Sequence, residues 1–167
     1  GGTVIDGTGA PVFAADVAVE KDRIAAVGRL STEACATTEI DATGLCLSPG
    51  FIDIHTHADI ALLARPQHLP KVMQGVTTEV FTNCGLGFAP VTDAARETQK
   101  QFLLGLFGDD TGVDWSWNSV ADLLARYEKL GTGTNVAYLI PHGAVRVSAM
   151  GMDGRPATAE ERARMAA

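Results

Sequence analysis

A chain of 167 residues with a net charge of −7 and no basic cluster is ill suited to nucleic acid, and 46% hydrophobic with 20% charged residues fits a globular protein with a sizeable core. No apolar run approaches the roughly 20 residues of a membrane span, so no membrane partner is expected. Three cysteines, Cys35, Cys46 and Cys84, are odd in number and match no zinc-finger spacing; this argues against a disulfide framework and for a reducing, cytoplasmic compartment.

Residues 1–47 read as short strands and turns. Thr3-Val4-Ile5 precedes the turn signal Asp6-Gly7. Asp16 to Glu20 alternates polar and apolar, and Lys21-Asp22 turns the chain into Arg23 to Gly28. Thr38 to Ala42 and Leu45 to Leu47 are further short strands. Cys35 sits in a polar stretch as an incidental thiol, and Cys46 is expected in core packing.

From residue 48 the pattern becomes alternating strands and helices, which implies parallel strands with crossovers. The strands are Gly50 to His55, Thr77 to Thr82 and Asn135 to Ile140. A helix around Leu69 to Gln74 follows Pro66. A second covers Asp93 to Phe107, with Phe102, Leu103, Leu106 and Phe107 as its apolar face, and Gly108-Asp109-Asp110-Thr111-Gly112 breaks it. Ser119 with Asp122 forms a capping box for a helix to Leu130, ended by Gly131 and Gly133. Thr158 with Glu161 caps a final helix.

The chemistry concentrates at strand ends. His55-Thr56-His57 closes the first barrel-type strand, and side chains at i and i+2 leave a strand on one side, so both imidazoles reach one ion. Asn83-Cys84-Gly85 follows the second strand and His142 the third. Thiolate and imidazole together suit zinc. Asp59 is either a carboxylate that orients His57 or a solvated loop residue. His142 is either a substrate contact or a support to the metal ligands, or else a histidine satisfied by backbone bonds, and Arg146 either meets a substrate carboxylate or is structural. His68 is read as surface or packing, and Trp115 and Trp117 as hydrophobic anchors.

The block Pro49-Gly50-Phe51-Ile52-Asp53-Ile54-His55-Thr56-His57, followed by Gly75-Val76-Thr77-Thr78, resembles the amidohydrolase superfamily. Asn83-Cys84-Gly85 narrows the resemblance to the N-acyl-D-amino-acid deacylases (D-aminoacylases), and Pro141-His142-Gly143-Ala144-Val145-Arg146, Met150-Gly151 and Arg155-Pro156-Ala157-Thr158 agree with it. The resemblance implies a metal-dependent (β/α)8 barrel, of which residues 48–167 hold about three β/α units, preceded over residues 1–47 by part of a small β-sandwich. It implies His55, His57 and Cys84 as ligands of one or two zinc ions, with the cysteine standing where hydantoinase-like and dihydroorotase-like relatives use a carboxylated lysine. The implied substrate is a small N-acyl-D-amino acid, hydrolysed at its amide bond.

The general base implied is an aspartate of the eighth strand, beyond residue 167, as are two further histidines; no catalytic residue is expected within these 167 residues. Gly1-Gly2 without a methionine and an ending inside a helix point to the N-terminal portion of a larger enzyme, which leaves a leader sequence open. A cyclic-amide hydrolase is the alternative enzyme, and a non-catalytic truncated product or pseudoenzyme the alternative of another kind. Oligomeric state is not legible.

Overall fold

The computed structural model describes residues 1–31, 33, 35–108 and 112–167, so the break expected at Asp109 to Thr111 lies outside the described residues. The chain divides into two compact units, Gly1–Pro49 and Gly50–Ala167.

The first unit is one four-stranded sheet: β1 (Gly2–Val4), β2 (Phe13–Glu20), β3 (Arg23–Gly28) and β4 (Cys46–Leu47), in the order β3-β2-β1-β4. β1 and β3 run antiparallel to β2, and β4 lies parallel to β1. The Lys21-Asp22 turn is held by Lys21 at φ 57°. The strand expected over Thr38 to Ala42 does not form; there Asp41 caps its own turn through a bond from the Thr43 amide. Cys46 is exposed rather than packed in a core, because β4 is a two-residue edge strand. Among the described residues of this unit, Val4 alone is a buried apolar side chain.

The second unit carries a parallel sheet of β5 (Phe51–Thr56), β6 (Val76–Phe81) and β7 (Asn135–Tyr138), in that order. Helices α1 (Asp59–Ala64) and α2 (Leu69–Val72) link β5 to β6, and α3 (Asp93–Phe107) and α4 (Val120–Leu130) link β6 to β7. Helices α5 (His142–Met150) and α6 (Ala159–Ala166) follow. The core joins Ile60 and Leu62 of α1, Phe81 of β6, Leu103 and Phe107 of α3, Leu123 and Tyr127 of α4, Val147 of α5, and Trp117. Each such fully buried side chain is worth about 1.5–3 kcal/mol.

Four helices depart from the sequence expectation. The stretch Ile60-Ala61-Leu62-Leu63 is apolar all round and shows no helical period, yet it forms α1 because Ile60 and Leu62 both bury completely. α2 stops at Val72, short of Gln74, where the chain tightens towards Gly75 at φ 80°. α5 contains Gly143 and two valines, poor helix formers, and is held instead by burial of Ala144 and Val147. On α3 the buried face is Ala95, Gln99, Leu103 and Phe107, spaced by four; Phe102 and Leu106 face outward.

Candidate metal centre

The pairing of β5 with β6 slips twice. Asp53 stands beside Glu79 and Thr56 beside Phe81, so three steps on β5 match two on β6. This bulge puts Asp53 and Thr56 on one face, the face on which Phe81 enters the core. His55 and His57, flanking Thr56, therefore point to the other face. Asp53 instead pairs with Lys71 of α2. The two imidazole rings lie 5.3 Å apart, edge to face.

Cys84 is brought to them by a strained turn. Thr82 has φ 68°, a left-handed value that a β-branched residue rarely adopts. Its hydroxyl donates to the carbonyls of Phe81 (2.6 Å) and Leu139, the latter bond tying β6 to the end of β7. Gly85, at φ 81°, closes the turn by donating its amide to the Thr82 carbonyl at 2.9 Å. Asn83 donates its amide side chain to the Ile54 carbonyl at 3.1 Å, fixing the loop to the bulge. The result sets Cys84 Sγ 3.5 Å from His57 Nε2, and one ligand atom each from His55, His57 and Cys84 lies within 4.8 Å of the others.

The loop beyond is fixed from three elements. Gln99 of α3 donates to the Gly87 carbonyl (2.6 Å), Trp117 Nε1 to the Phe88 carbonyl (2.9 Å), and the Tyr138 hydroxyl accepts from the amides of Phe88 and Ala89 (3.3 and 3.2 Å). Burial, and then the neighbouring His55, hold the His57 imidazole below its usual value and favour the neutral ring that can ligate an ion.

The other expected residues fall differently. His142 opens α5 beside the Cys84 loop, where the Gly143 amide donates to the Gly85 carbonyl at 2.9 Å; a Cβ at Gly143 would sit 2.7 Å from that oxygen, which explains the glycine. His142 stands outside the three-donor cluster. Asp59 is completely buried at the start of α1, not solvated; among the described residues it makes no bond to His57, and both its carboxyl oxygens and His57 Nδ1 lack hydrogen-bond partners. Burial pushes the Asp59 carboxyl up to about 7. Arg146 points its guanidinium at the carbonyls of Asp153 (2.7 Å) and Arg155 (2.9 Å), clasping the loop after α5.

Sequence reasoning passed over Glu79, completely buried within β6 and set against His68, Thr134 and Lys71. Its signal was a charged residue inside an apolar parallel strand, which calls for a buried partner.

The "Amidohydrolase family" model matches residues 38–167. The chain is 41% identical over 165 residues to the D-aminoacylase of Alcaligenes xylosoxydans xylosoxydans, covering 99% of this chain and 33% of that protein. A D-aminoacylase structure described for its binuclear metal centre superposes with a TM-score of 0.82 at 40% identity, over 98% of this chain and 33% of that one. The N-acyl-D-glutamate deacylase of Bordetella bronchiseptica, solved with zinc and a phosphonate mimic of the tetrahedral intermediate, gives 0.80 at 36% identity, over 99% and 33%. The chain thus spans about a third of the length of these relatives, and its parallel unit is part of an amidohydrolase-type (β/α)8 barrel. The match over residues 38–167, with these likenesses to D-aminoacylases and an N-acyl-D-amino-acid deacylase, shows that the chain belongs to the amidohydrolase family.

Proposed function

We propose that the whole protein is a zinc-dependent amidohydrolase that cleaves the amide bond of N-acyl-D-amino acids, with His55, His57 and Cys84 holding the ion. The observation that carries this is the convergence of two imidazoles and one thiol within 4.8 Å at the C-terminal ends of adjacent parallel strands, the end at which barrel enzymes place their chemistry. The donor set fits the ion: nitrogen and sulfur ligands are what zinc takes, and three protein donors leave room for water or substrate. A further reason is the likeness to a D-aminoacylase with a binuclear metal centre and to a deacylase solved with zinc. A cysteine able to bridge two positions is compatible with one ion or two.

Bound zinc would supply a water of lowered pKa and a Lewis acid for the substrate carbonyl. The chain's own residues prepare that place. The β5 bulge turns His55 and His57 to one side, Thr82 and Gly85 bend the backbone so that Cys84 faces them, and Asn83 locks the two pieces together. On this reading His142, beside the same loop, meets substrate; the nearness of α5's first turn to Gly85 supports this. The proton-accepting aspartate and the remaining histidines belong, on this reading, to later barrel strands. Arg146 is structural on this reading, its Nη2 clasping the two loop carbonyls.

The test is elemental analysis of the whole protein, wild type beside Cys84→Ala, with hydrolysis of N-acetyl-D- and N-acetyl-L-amino acids assayed in parallel. The expected result is zinc and D-selective hydrolysis in the wild type, both lost in the variant. Zinc retained with unchanged activity in Cys84→Ala would remove Cys84 from the centre and favour a cyclic-amide hydrolase.

A further inference from the structure

A metal-bound histidine ordinarily donates its second ring nitrogen to a carboxylate, a carbonyl or water, and that bond fixes the angle of the ring. Among the described residues, His57 has no such bond. Its Nε2 faces Cys84 Sγ at 3.5 Å, while Nδ1 is buried without a hydrogen-bond partner. The nearest carboxyl in sequence, that of Asp59, is equally without a partner. Among the described residues, no hydrogen bond at Nδ1 fixes the angle of the ring.

The structure places an aromatic ring there. Phe107, the last residue of α3, meets His57 at a centroid distance of 5.2 Å and an interplanar angle of 86°. This is the edge-to-face arrangement that the charge distribution of aromatic rings favours. Phe107 is itself confined. It is 8% exposed, and Phe88 packs on it at 4.7 Å and 76°. Phe88 in turn has its backbone pinned by Trp117 Nε1 and the Tyr138 hydroxyl, and its ring faces Trp115 at 5.1 Å. Trp115 stacks on Trp117 at 5.1 Å. The path from His57 to the indoles thus runs through ring contacts alone, and its backbone anchors come from β7 and from the segment before α4.

We propose that Phe107 is the positioning residue of His57, setting the imidazole by an edge-to-face ring contact in place of the usual hydrogen bond, so that Nε2 faces the proposed ion. This inference rests on the metal-centre reading above. It assigns the end of α3 a role in metal affinity that its sequence, read as helix core, does not suggest. It also accounts for the face α3 buries: the spacing Ala95, Gln99, Leu103, Phe107 carries Phe107 to the site, whereas Phe102 and Leu106 face outward.

The test compares Phe107→Leu, Phe107→Tyr, Leu103→Val and Cys84→Ala in the whole protein. Zinc affinity is measured by chelator competition, the absorption spectrum after cobalt substitution is recorded, and the melting temperature of the metal-free form is followed. Phe107→Leu removes the ring and is expected to weaken zinc binding about tenfold, the low end of what loss of a ligand's support costs, and to shift the cobalt bands. Phe107→Tyr keeps the ring and is expected to restore both. Leu103→Val, a core change on the same helix away from His57, is expected to lower the melting temperature without moving either metal readout. Where Phe107→Leu does not fold, Phe107→Met fills the same apolar site without a ring.

Unchanged zinc affinity and cobalt bands in Phe107→Leu, with zinc lost in Cys84→Ala, would overturn this inference alone. So would an equal loss of affinity in Phe107→Leu and Leu103→Val, which would make the effect one of stability. Absence of zinc from the wild type would overturn the metal-centre reading and this inference with it, whereas zinc retained in Cys84→Ala would remove Cys84 alone and leave Phe107→Leu to decide the inference.

Discussion

Glu79 is a carboxylate in the middle of a parallel sheet, and it is tolerated because partners reach it from three directions. His68 Nδ1 lies 2.7 Å from Oε1, the Thr134 hydroxyl donates to the same oxygen at 2.8 Å, and Lys71 Nζ stands 3.7 Å from Oε2. Removing one member of a buried charged network strands the others, at a cost of about 3–5 kcal/mol. Glu79→Ala is therefore expected to lower the urea midpoint of the whole protein by that equivalent; a loss below about 1 kcal/mol would show the network to be dispensable. Thr82 is a smaller case. Thr82→Val keeps the branched carbon but loses the hydroxyl bond to Leu139, and is expected to cost about 1 kcal/mol and to loosen zinc retention through the Cys84 turn. The two residues differ in legibility. The grouping of His55, His57 and Cys84 was expected from the resemblance carried by the H-x-H and N-C-G motifs, and the fold brings the three within 4.8 Å. The left-handed backbone of Thr82 could not be expected, since threonine ordinarily marks an extended strand and it takes the bond across to Leu139 and the Gly85 amide on its carbonyl to hold it otherwise.

Elements were legible where a cap or a break was local. Both capping boxes form as the sequence predicts: Ser119 with Asp122 at α4 and Thr158 with Glu161 at α6. Ser119→Ala is expected to cost about 1 kcal/mol, read as a lowered melting temperature. At α6 the carboxyl of Glu161 also receives the Arg155 guanidinium, at 2.7 and 2.5 Å, and that pair, followed by the Thr158 amide, brings it down from 4.5 to about 2. A carboxyl whose folded value lies below its unfolded one stabilises fully above the unfolded value and ceases to as pH falls through the folded one. The anchoring of α6 should thus be intact above about 4.5 and lost between there and about 2; carboxyl NMR of Glu161 should titrate near 2, and a midpoint near 4.5 would refute the pairing. Where packing decides, local signals failed. α1 has no polar face to give it a period, α5 carries a glycine and valines, and α3 buries a column spaced by four rather than the bulkiest side chains near its end.

At the scale of the molecule, both units present large apolar side chains to solvent. Phe51, Ile52 and Ile54 of β5 are more than 60% exposed, Ile140 lies open beyond β7, and in the first unit Val19 and Ile24 are similarly bare. Among the described residues, β5 and β7 each leave one side of the three-stranded sheet unpaired. These 167 residues, expressed by themselves, are therefore expected to aggregate or to melt without a cooperative transition; a sharp two-state melt of a monomer would contradict this. The architecture was readable from the sequence, but the extent of this bare surface was not, because a strand's pattern does not tell whether a neighbour pairs with it. One feature of the centre bears on how such a chain survives its own synthesis. Its donors come from neighbouring strands, with His57 and Cys84 only 27 positions apart. At about 5–20 residues per second on the ribosome, the thiol follows the imidazoles by a few seconds, long before a barrel of the relatives' length is translated. An ion captured then would couple its binding energy to the pairing of β5 with β6, a clasp fastened on the nascent chain while its open edges still await their partners.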